Sequence, residues 1–306
     1  MIRRAAPRRG FTMVELLVVV GVIAILASLI TVAALRVQKV AKRTRASAEI
    51  AQISAAVSTF KAKMNVDFIP SGGGGPNGTF QLKKVYAGNE PEAKYLKRLF
   101  PQMKGCTGDP NENTGLPDGF NLDGNQTLVL FLTGGDVTKF TGFSTNRQQP
   151  FTPTATDGEN RLGPFLEFSS NNYVLGSNLP GVAGAQSLSY LVDPWGSPYA
   201  YFAFNPLNNM YDAGQSFAFN GTTVRAYRER LDPTRPTLTP KGLQPKGFQL
   251  ISAGENGKDD EDPRGFGPGG KLDTTGEWTP GVGAYADGGA GFDDLSNFHE
   301  GQLGVK

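Results

Sequence analysis

The sequence predicts an α+β fold in which a long N-terminal hydrophobic helix packs on a small antiparallel sheet that carries large loop insertions. Three observations predict this fold. Residues 16–35 form an uncharged apolar run, an apolar stripe with helical spacing continues to Met64, and short apolar segments bounded by turn residues recur in the second half of the chain. We divide the 306 residues into an N-terminal segment at 1–10, a helix at 11–64 and a globular head at 65–306.

The apolar run is long enough to cross a membrane. Twenty residues at about 1.5 Å each span the hydrocarbon core of about 30 Å. A secretory signal has a shorter apolar run that is followed closely by a cleavage site with small residues. The nearest such triplet here, Ala46-Ser47-Ala48, lies beyond five basic residues. The run therefore predicts a single-pass membrane anchor.

Beyond the anchor, the chain contains no Gly or Pro before Met64. Its apolar residues are spaced alternately by three and four positions: Ile50, Ile53, Val57, Phe60 and Met64. This spacing places them on one face of a helix, and we expect that face to pack against the head. A helix from Thr12 to Met64 would be roughly 80 Å long at about 1.5 Å per residue.

Composition excludes several kinds of site. The 30 Lys and Arg residues nearly balance the 28 Asp and Glu residues, so no nucleic-acid partner is expected. Cys106 is the single cysteine and cannot form an intrachain disulfide; we expect a buried, inert thiol. His299 is the single histidine, which excludes a metal site built on several histidines.

Residues 8–17 read Arg-Arg-Gly-Phe-Thr-Met-Val-Glu-Leu-Leu. This string resembles the class III leader and mature N-terminus of type IV pilins and type II secretion pseudopilins. In that family a prepilin peptidase cuts after the glycine and methylates the new N-terminal phenylalanine. The resemblance places cleavage after Gly10 and methylation on Phe11, with 1–10 as the leader. A small residue at Gly10 also lets a protease approach the backbone closely.

The family's acidic residue at the fifth mature position corresponds to Glu15. A carboxylate that becomes buried at the centre of a bilayer costs roughly 2.5–3.5 kcal/mol, so Glu15 should have a partner. The amine of Phe11 is the obvious candidate, and in the family the glutamate is thought to meet the amine of a neighbouring subunit. The alternative is that Glu15 marks the membrane boundary among the headgroups. Basic residues flank both ends of the anchor, so its orientation rests on the resemblance.

The head is predicted to contain one short helix and several loops. The helix starts near Asn89 as its cap and ends near Phe100, before a proline. Residues 65–79 and 105–125 are predicted loops. The apolar run at 126–132 is short enough to be either a strand or a helix.

Candidate strands lie at 164–168, 199–205 and 248–252. The string Asp-Pro-Trp-Gly-Ser-Pro-Tyr-Ala-Tyr at 193–201 is similar to the DPWGNPYxY segment of the major pseudopilin of type II secretion, where it forms a turn leading into the first strand of the sheet. The aromatic residues of this string should supply a sheet face and core. The alternative is an aromatic hairpin without family meaning.

Two later segments, 252–258 and 293–298, resemble the ends of that family's calcium loop, although Asn256 replaces an Asp and Phe298 a Trp. The resemblance implies a Ca²⁺ site, for which calcium needs six to eight oxygens. The candidate ligands are oxygens from both segments and the stretch between them: the Ala253 carbonyl, Asn256, Asp293 and Asp294, with Asp259 as a weaker candidate. The alternative is a solvated acidic loop.

Three functions remain open. The first is a filament subunit of a type II secretion pseudopilus or type IV pilus, with prepilin peptidase, related pilin subunits, the inner membrane and secretion platform proteins as partners. Its head would lie in the periplasm or on the cell surface. The second is a membrane-anchored binding or adhesion module. The third, a tethered hydrolase, lacks support: the glycine-rich stretch at 265–271 is followed by Leu272 where a phosphate loop needs Ser or Thr, and no nucleophile elbow occurs, so we expect no enzyme. Residues 71–190 have no counterpart in the small pseudopilins.

Overall fold

The computed structural model describes the larger part of the chain: residues 12–72, 79–134, 142–152, 161–167, 173–175, 189–205, 210–211, 217–219, 222–224, 228–229, 247–254, 277–278 and 295–297. The chain divides into two compact units, Met1–Thr44 and Arg45–Lys306. The division falls inside the first helix, so residues 45–64 of that helix belong to the same unit as the head.

The described residues contain three α helices: α1 at Met13–Met64, α2 at Pro91–Leu99 and α3 at Gly124–Thr133. Helix α1 confirms the predicted long N-terminal helix. Helix α2 confirms the predicted short helix, but its cap is Glu90, not Asn89. The Glu90 carboxylate accepts hydrogen bonds from Lys83 Nζ at 2.8 Å and from the Ala87 backbone N–H at 3.0 Å. These bonds fix the turn before the helix without a side-chain cap.

Strands are short in the described residues: β1 at Phe80–Leu82, β2 at Phe120–Leu122, β3 at Tyr173–Leu175, β4 at Ser189–Leu191, β5 at Ala200–Asn205, β6 at Met210–Tyr211, β7 at Phe217–Phe219, β8 at Thr222–Val224, β9 at Arg228–Glu229, β10 at Phe248–Ser252, β11 at Glu277–Trp278 and β12 at Leu295–Ser296. The largest sheet among these described strands is antiparallel and has the order β12-β10-β5-β6. The pairs β1-β2, β3-β4 and β7-β8 are antiparallel, and β9-β11 is parallel. Strands β5 and β10 confirm the strands predicted at 199–205 and 248–252, and the α+β fold with small antiparallel sheets is confirmed.

The apolar stripe of α1 is buried, as predicted. Phe60 is fully buried, and its ring lies 5.1 Å from that of Phe165, 6.0 Å from that of Phe131 and 6.4 Å from that of Phe143, measured between centroids. All three partners come from residues 71–190, the segment without a counterpart in the small pseudopilins. This segment therefore builds an aromatic core around the second part of α1.

Helix α3 settles the open choice at 126–132. Asp123 accepts a hydrogen bond from the Gln126 backbone N–H at 2.9 Å while Gln126 Oε1 accepts one from the Asp123 N–H at 3.2 Å, which is a capping box. Gly134 ends the helix with a φ of 88°. All ten residues of α3 are buried. A side chain at Gly124 would collide with the Tyr201 carbonyl oxygen, so glycine allows α3 to approach β5.

Two loop and strand predictions were wrong. Residues 164–167 form no strand, because the Phe165 N–H donates to the Leu132 carbonyl at 2.8 Å and strand-like pairing is limited to one bridge between Leu162 and Phe143. Residue 168 lies outside the described residues. The predicted loop at 105–125 contains β2, which pairs with β1, and the start of α3.

Candidate functional site

The start of α1 is held by a reciprocal set of hydrogen bonds. The Thr12 backbone N–H and hydroxyl donate to Glu15 Oε2 at 2.8 and 2.9 Å, and the Glu15 N–H donates to Thr12 Oγ1 at 3.2 Å. This is a capping box, which satisfies backbone donors that a helix start otherwise leaves unpaired. Thr12 was not predicted as the cap, although the pattern Thr-x-x-Glu before an apolar run is the signature of a capping box.

The capping box leaves Glu15 able to bind a cation. An ionised carboxylate offers about four acceptor positions on its two oxygens, and Thr12 uses two positions on Oε2. The other oxygen, Oε1, has acceptor capacity for an ammonium group. Gly10 and Phe11 lie outside the described residues, so cleavage after Gly10 and a bond from the Phe11 amine to Glu15 remain predictions.

The part of α1 that follows Glu15 presents apolar side chains in all directions. Every large apolar residue between Met13 and Val40 whose side chain the structure describes is exposed, from 51% for Val19 to 89% for Met13. Within the described residues, α1 is the one helix that is long and apolar enough to cross a membrane, and its most apolar window has no buried residues. An apolar surface that surrounds a helix needs lipid or partner helices to cover it.

The string at 193–201 forms the predicted turn into β5. The Asp193 N–H donates to the Ser197 carbonyl and the Gly196 N–H donates to the Asp193 carbonyl, both at 2.8 Å. Gly196 has a φ of 88°, which suits glycine. The aromatic side chains of the string are buried, as predicted: Trp195, Tyr199 and Tyr201.

Asp193 also joins this turn to the end of β10. Its Oδ1 accepts hydrogen bonds from the backbone N–H groups of Trp195 at 3.0 Å and Ser197 at 2.9 Å, and its Oδ2 accepts one from Ser252 Oγ at 2.8 Å. The Ser252 hydroxyl oxygen in turn accepts from the Gly254 N–H at 3.2 Å. Burial raises the pKa of Asp193 to about 7. The contact between Asp193 and Ser252 was not predicted from the sequence.

The end of β10 is also where the candidate calcium segments meet. Ser252 pairs directly with Leu295, so the chain leaves β10 and enters β12 at one edge of the sheet. Asn297 holds β12 in place, because its Oδ1 accepts from the Leu250 N–H at 2.8 Å and its Nδ2 donates to the Phe248 carbonyl at 3.0 Å. This register brings together the two ends of the segment predicted to bind calcium.

Of the candidate ligands, Ala253 is described and is buried directly after β10. The remaining candidates lie outside the described residues: Asn256, Asp259, Asp293 and Asp294. Within the described part of the chain, no group of three or more His, Cys, Asp and Glu residues is placed to hold a metal ion. The calcium site therefore stays a prediction.

A buried carboxylate joins α1 to the turn that precedes β5. Glu49 Oε2 accepts a hydrogen bond from the Tyr199 hydroxyl at 2.9 Å, and Glu49 Oε1 forms an ion pair with Arg45 Nε at 2.8 Å. Both contacts lie in the same unit as the head. They position the second part of α1 against the sheet.

Cys106 is buried, as predicted, and burial raises the pKa of its thiol to about 11. At neutral pH the group is therefore a thiol rather than the reactive thiolate. His299 lies outside the described residues.

One comparison with known proteins identifies the N-terminus. The family model described as the prokaryotic N-terminal methylation motif matches residues 6–31. No curated protein and no solved structure matches the chain. The N-terminus is a class III leader of the type IV pilin-like kind, followed by an apolar helix consistent with a single-pass membrane anchor. The motif implies processing by a prepilin peptidase and pilin-like assembly.

Proposed function

We propose that the chain is a pilin-like structural subunit, a pseudopilin, which inserts in the bacterial inner membrane and assembles into a type II secretion pseudopilus or type IV pilus. One observation carries the proposal: the methylation motif at 6–31 runs into a helix whose apolar part is exposed on every side. Such a surface suits lipid before assembly and neighbouring α1 helices after it. The role is structural, not enzymatic.

The turn at 193–201 favours the pseudopilus over the pilus. It leads directly into β5, as the similar segment does in the major pseudopilin of type II secretion. Platform proteins of the secretion machine are then the expected partners, and the head would lie in the periplasm. The part of the core built by residues 71–190 would give this subunit a larger head than the small pseudopilins have.

We propose that Glu15 sets the register of assembly. After cleavage at Gly10, the new amine of Phe11 carries a positive charge, and Oε1 of Glu15 has the capacity to accept it. In a low-dielectric filament core this ion pair would compensate a carboxylate that is otherwise costly to bury. The amine of a neighbouring subunit would satisfy that need only when the two helices are correctly staggered.

The experiment compares substitutions that separate the charge of Glu15 from its capping role. Glu15→Gln and Glu15→Ala should be inserted and cleaved but should lose at least about tenfold in pelletable filaments, a loss equivalent to about 1.4 kcal/mol. Thr12→Ala is the matched control, because it removes the cap and keeps the carboxylate. This control should still form filaments. Normal assembly by Glu15→Gln would show that Glu15 only marks the membrane boundary, and a processed protein that binds a ligand without polymerising would favour an anchored adhesion module.

We also propose that the head binds Ca²⁺ through oxygens at the edge where β10 and β12 meet. The donors would be the Ala253 carbonyl and the side chains of Asn256, Asp259, Asp293 and Asp294. The register of Ser252 with Leu295 supports the site, since it places both ends of the segment side by side. A bound ion would supply charge compensation and close a long span that contains many glycines and is costly to order by packing alone.

Thermal melts of the full chain test the calcium proposal. Calcium should raise the melting temperature relative to chelator, because a ligand that prefers the native state stabilises it, and magnesium should do so poorly. Asp293→Ala combined with Asp294→Ala should abolish the shift. Asp109→Ala combined with Asp118→Ala, two exposed acidic residues elsewhere in the head, is the control. Identical melts in calcium and chelator would reduce the segment to an acidic surface loop.

A further inference from the structure

A cluster of basic side chains follows the apolar run of α1 without interruption. Residues 36–45 contain five basic residues and no acidic one, and we call these five the basic belt: Arg36, Lys39, Lys42, Arg43 and Arg45. All are exposed except Arg43, which is half-buried. We propose that the basic belt binds the anionic headgroups of phospholipids in the leaflet at the C-terminal end of the anchor, and that it thereby fixes the depth of α1 in the membrane.

The position of the belt brings it to the headgroups. Arg36 follows Leu35, the last residue of the uncharged run, so it stands where the hydrocarbon core ends. The segment 36–45, which contains the belt, extends about 15 Å along a helix. The headgroup layer is roughly 5–7 Å thick, and surface charge acts over a further Debye length of about 8 Å at physiological ionic strength. The whole belt therefore lies within range of the charged surface.

Helical spacing concentrates part of this charge on one side of α1. Arg36, Lys39 and Arg43 are three, four and seven positions apart, which places them on one face of the helix. Long basic side chains also reach from a membrane-embedded stem to the phosphate level. A row of cations on one face can meet several headgroups at once.

Leader cleavage makes the belt the dominant positive charge beside the anchor. Cleavage at Gly10 would remove all four arginines that precede the apolar run: Arg3, Arg4, Arg8 and Arg9. Glu15 would then be the one charged side chain on that side of the run. The mature anchor would have a carboxylate at one end and five basic residues at the other, so anionic lipid would hold it mainly through the belt.

An acidic protein surface is the rival partner. Arg45 already pairs with Glu49 in the described structure, and Lys39 and Arg43 also make contacts there, so the belt's charge is partly engaged. Lipid is favoured because headgroups lie beside Arg36 whenever the helix is inserted, whereas a protein partner would have to be supplied. The inference rests on the proposed membrane insertion of the chain.

The test measures lipid selectivity of the full chain in vesicles of phosphatidylcholine with a minor share of phosphatidylglycerol. Spin-labelled versions of the two lipids report which one is immobilised at the protein. The belt variant combines Arg36→Gln, Lys39→Gln and Lys42→Gln, and leaves Arg43 and Arg45 intact. The control variant combines Lys61→Gln and Lys63→Gln in the last turn of the same helix, roughly 24 Å or more beyond the belt at about 1.5 Å per residue. The leader is identical in all proteins, so differences report the belt.

We expect the wild-type chain to prefer phosphatidylglycerol at low salt. The preference for phosphatidylglycerol should be at least about threefold lower in the belt variant. At a fully charged membrane surface, each basic residue strengthens binding by about fivefold, and the surface of these vesicles carries less charge. The control variant should retain it, and 0.5 M salt should bring the wild type to the level of the belt variant. A belt variant with wild-type preference overturns the inference, including the case in which the true partner is an acidic protein.

Vesicle flotation and circular dichroism separate this outcome from failure of the proposed function. A wild-type chain that floats with the vesicles and shows no lipid preference overturns only the proposal that the belt binds anionic headgroups. A chain that does not float at all overturns both that proposal and the proposed membrane insertion of α1. Equal helicity in the three proteins excludes unfolding of α1 as the cause of a difference.

Discussion

Helix α1 has a continuous helical backbone, but its two parts differ in which side chains are buried. From Met13 to Val40 the described large apolar side chains are exposed, whereas from residue 45 to Met64 one apolar stripe is buried and the exposed residues are polar residues and alanines. Continuous helical structure therefore says nothing about what surrounds it. The distribution of apolar residues around the axis does: a helix that is apolar on all sides suits lipid or a filament core, and a one-sided helix suits a globular head.

The comparison predicts that the two parts respond differently to the same loss of apolar volume. Phe60→Ala should destabilise the head by about 3–5 kcal/mol, because it leaves a cavity among three aromatic rings. Leu26→Ala, in the exposed part of α1, should leave the unfolding of the head unchanged. Chemical denaturation of the full chain in detergent, followed by near-UV circular dichroism, measures both. Equal destabilisation by the two substitutions would break the comparison.

A smaller effect tests whether α3 helps to hold the core that buries α1. Asn125 is fully buried; its Nδ2 donates to the carbonyls of Leu191 at 3.0 Å and Tyr199 at 2.6 Å, and its Oδ1 accepts from the Leu191 N–H at 2.8 Å. Asn125→Ala would remove the side-chain partner of the Leu191 N–H and of the Tyr199 carbonyl, and should cost about 2–3 kcal/mol. The Leu191 carbonyl would still accept from the Tyr199 N–H at 3.1 Å. Asn121→Ala, at an exposed position of β2, is the control and should cost less than about 0.5 kcal/mol.

The third prediction concerns how the stability of the head changes with pH through Asp193, and its effect within one pH unit is the smallest of the three. Burial raises its pKa to about 7, above the value of about 3.9 in an unfolded chain. Its contribution to stability is therefore fully present below about pH 4 and is lost as the pH rises through 7, by at most about 1.4 kcal/mol per pH unit. Asp193→Asn should remove this dependence.

Thermal melts of wild type and Asp193→Asn between pH 4 and 8, recorded in chelator so that bound metal does not contribute, isolate the effect as a difference curve. The difference in stability should change in favour of the variant as the pH rises from 4 to 7 and should then level off. A flat difference curve would show that the hydrogen bonds from Trp195, Ser197 and Ser252 offset the burial of the charge.

Some elements were predicted correctly because the pattern that defines them lies within a short stretch of sequence. The alternating spacing up to Met64 predicts α1, and apolar runs between turn residues predict β5 and β10. The run at 126–132 stays ambiguous because α3 is buried on all sides and shows no amphipathic period. The strand predicted at 164–168 fails because Phe165 is apolar for its contact with Phe60, not for a place in a sheet.

The contacts of the candidate sites also differ in whether a short sequence motif contains both residues. Glu15 and its cap Thr12 are three residues apart, so a short motif contains both. The hydrogen bond between Asp193 and Ser252 joins residues 59 apart in the chain, and only the folded sheet brings them together. Asp293 and Asp294 were predicted from resemblance alone. The register of β10 with β12 positions Leu295, the residue that follows them, beside Ser252.

The N-terminus of the mature protein is the decisive observation for pilin-like assembly, because processing of the leader decides whether the exposed part of α1 is a pilin-like assembly helix. Mass spectrometry of the protein extracted from membranes of cells that contain a prepilin peptidase should show a chain that begins at Phe11 and carries one added methyl group on its amine. Loss of the peptidase should leave the leader attached. A mature chain that begins at Met1 or Ile2 in the presence of the peptidase, or that begins after Ala48, would show that the N-terminus is not a class III leader.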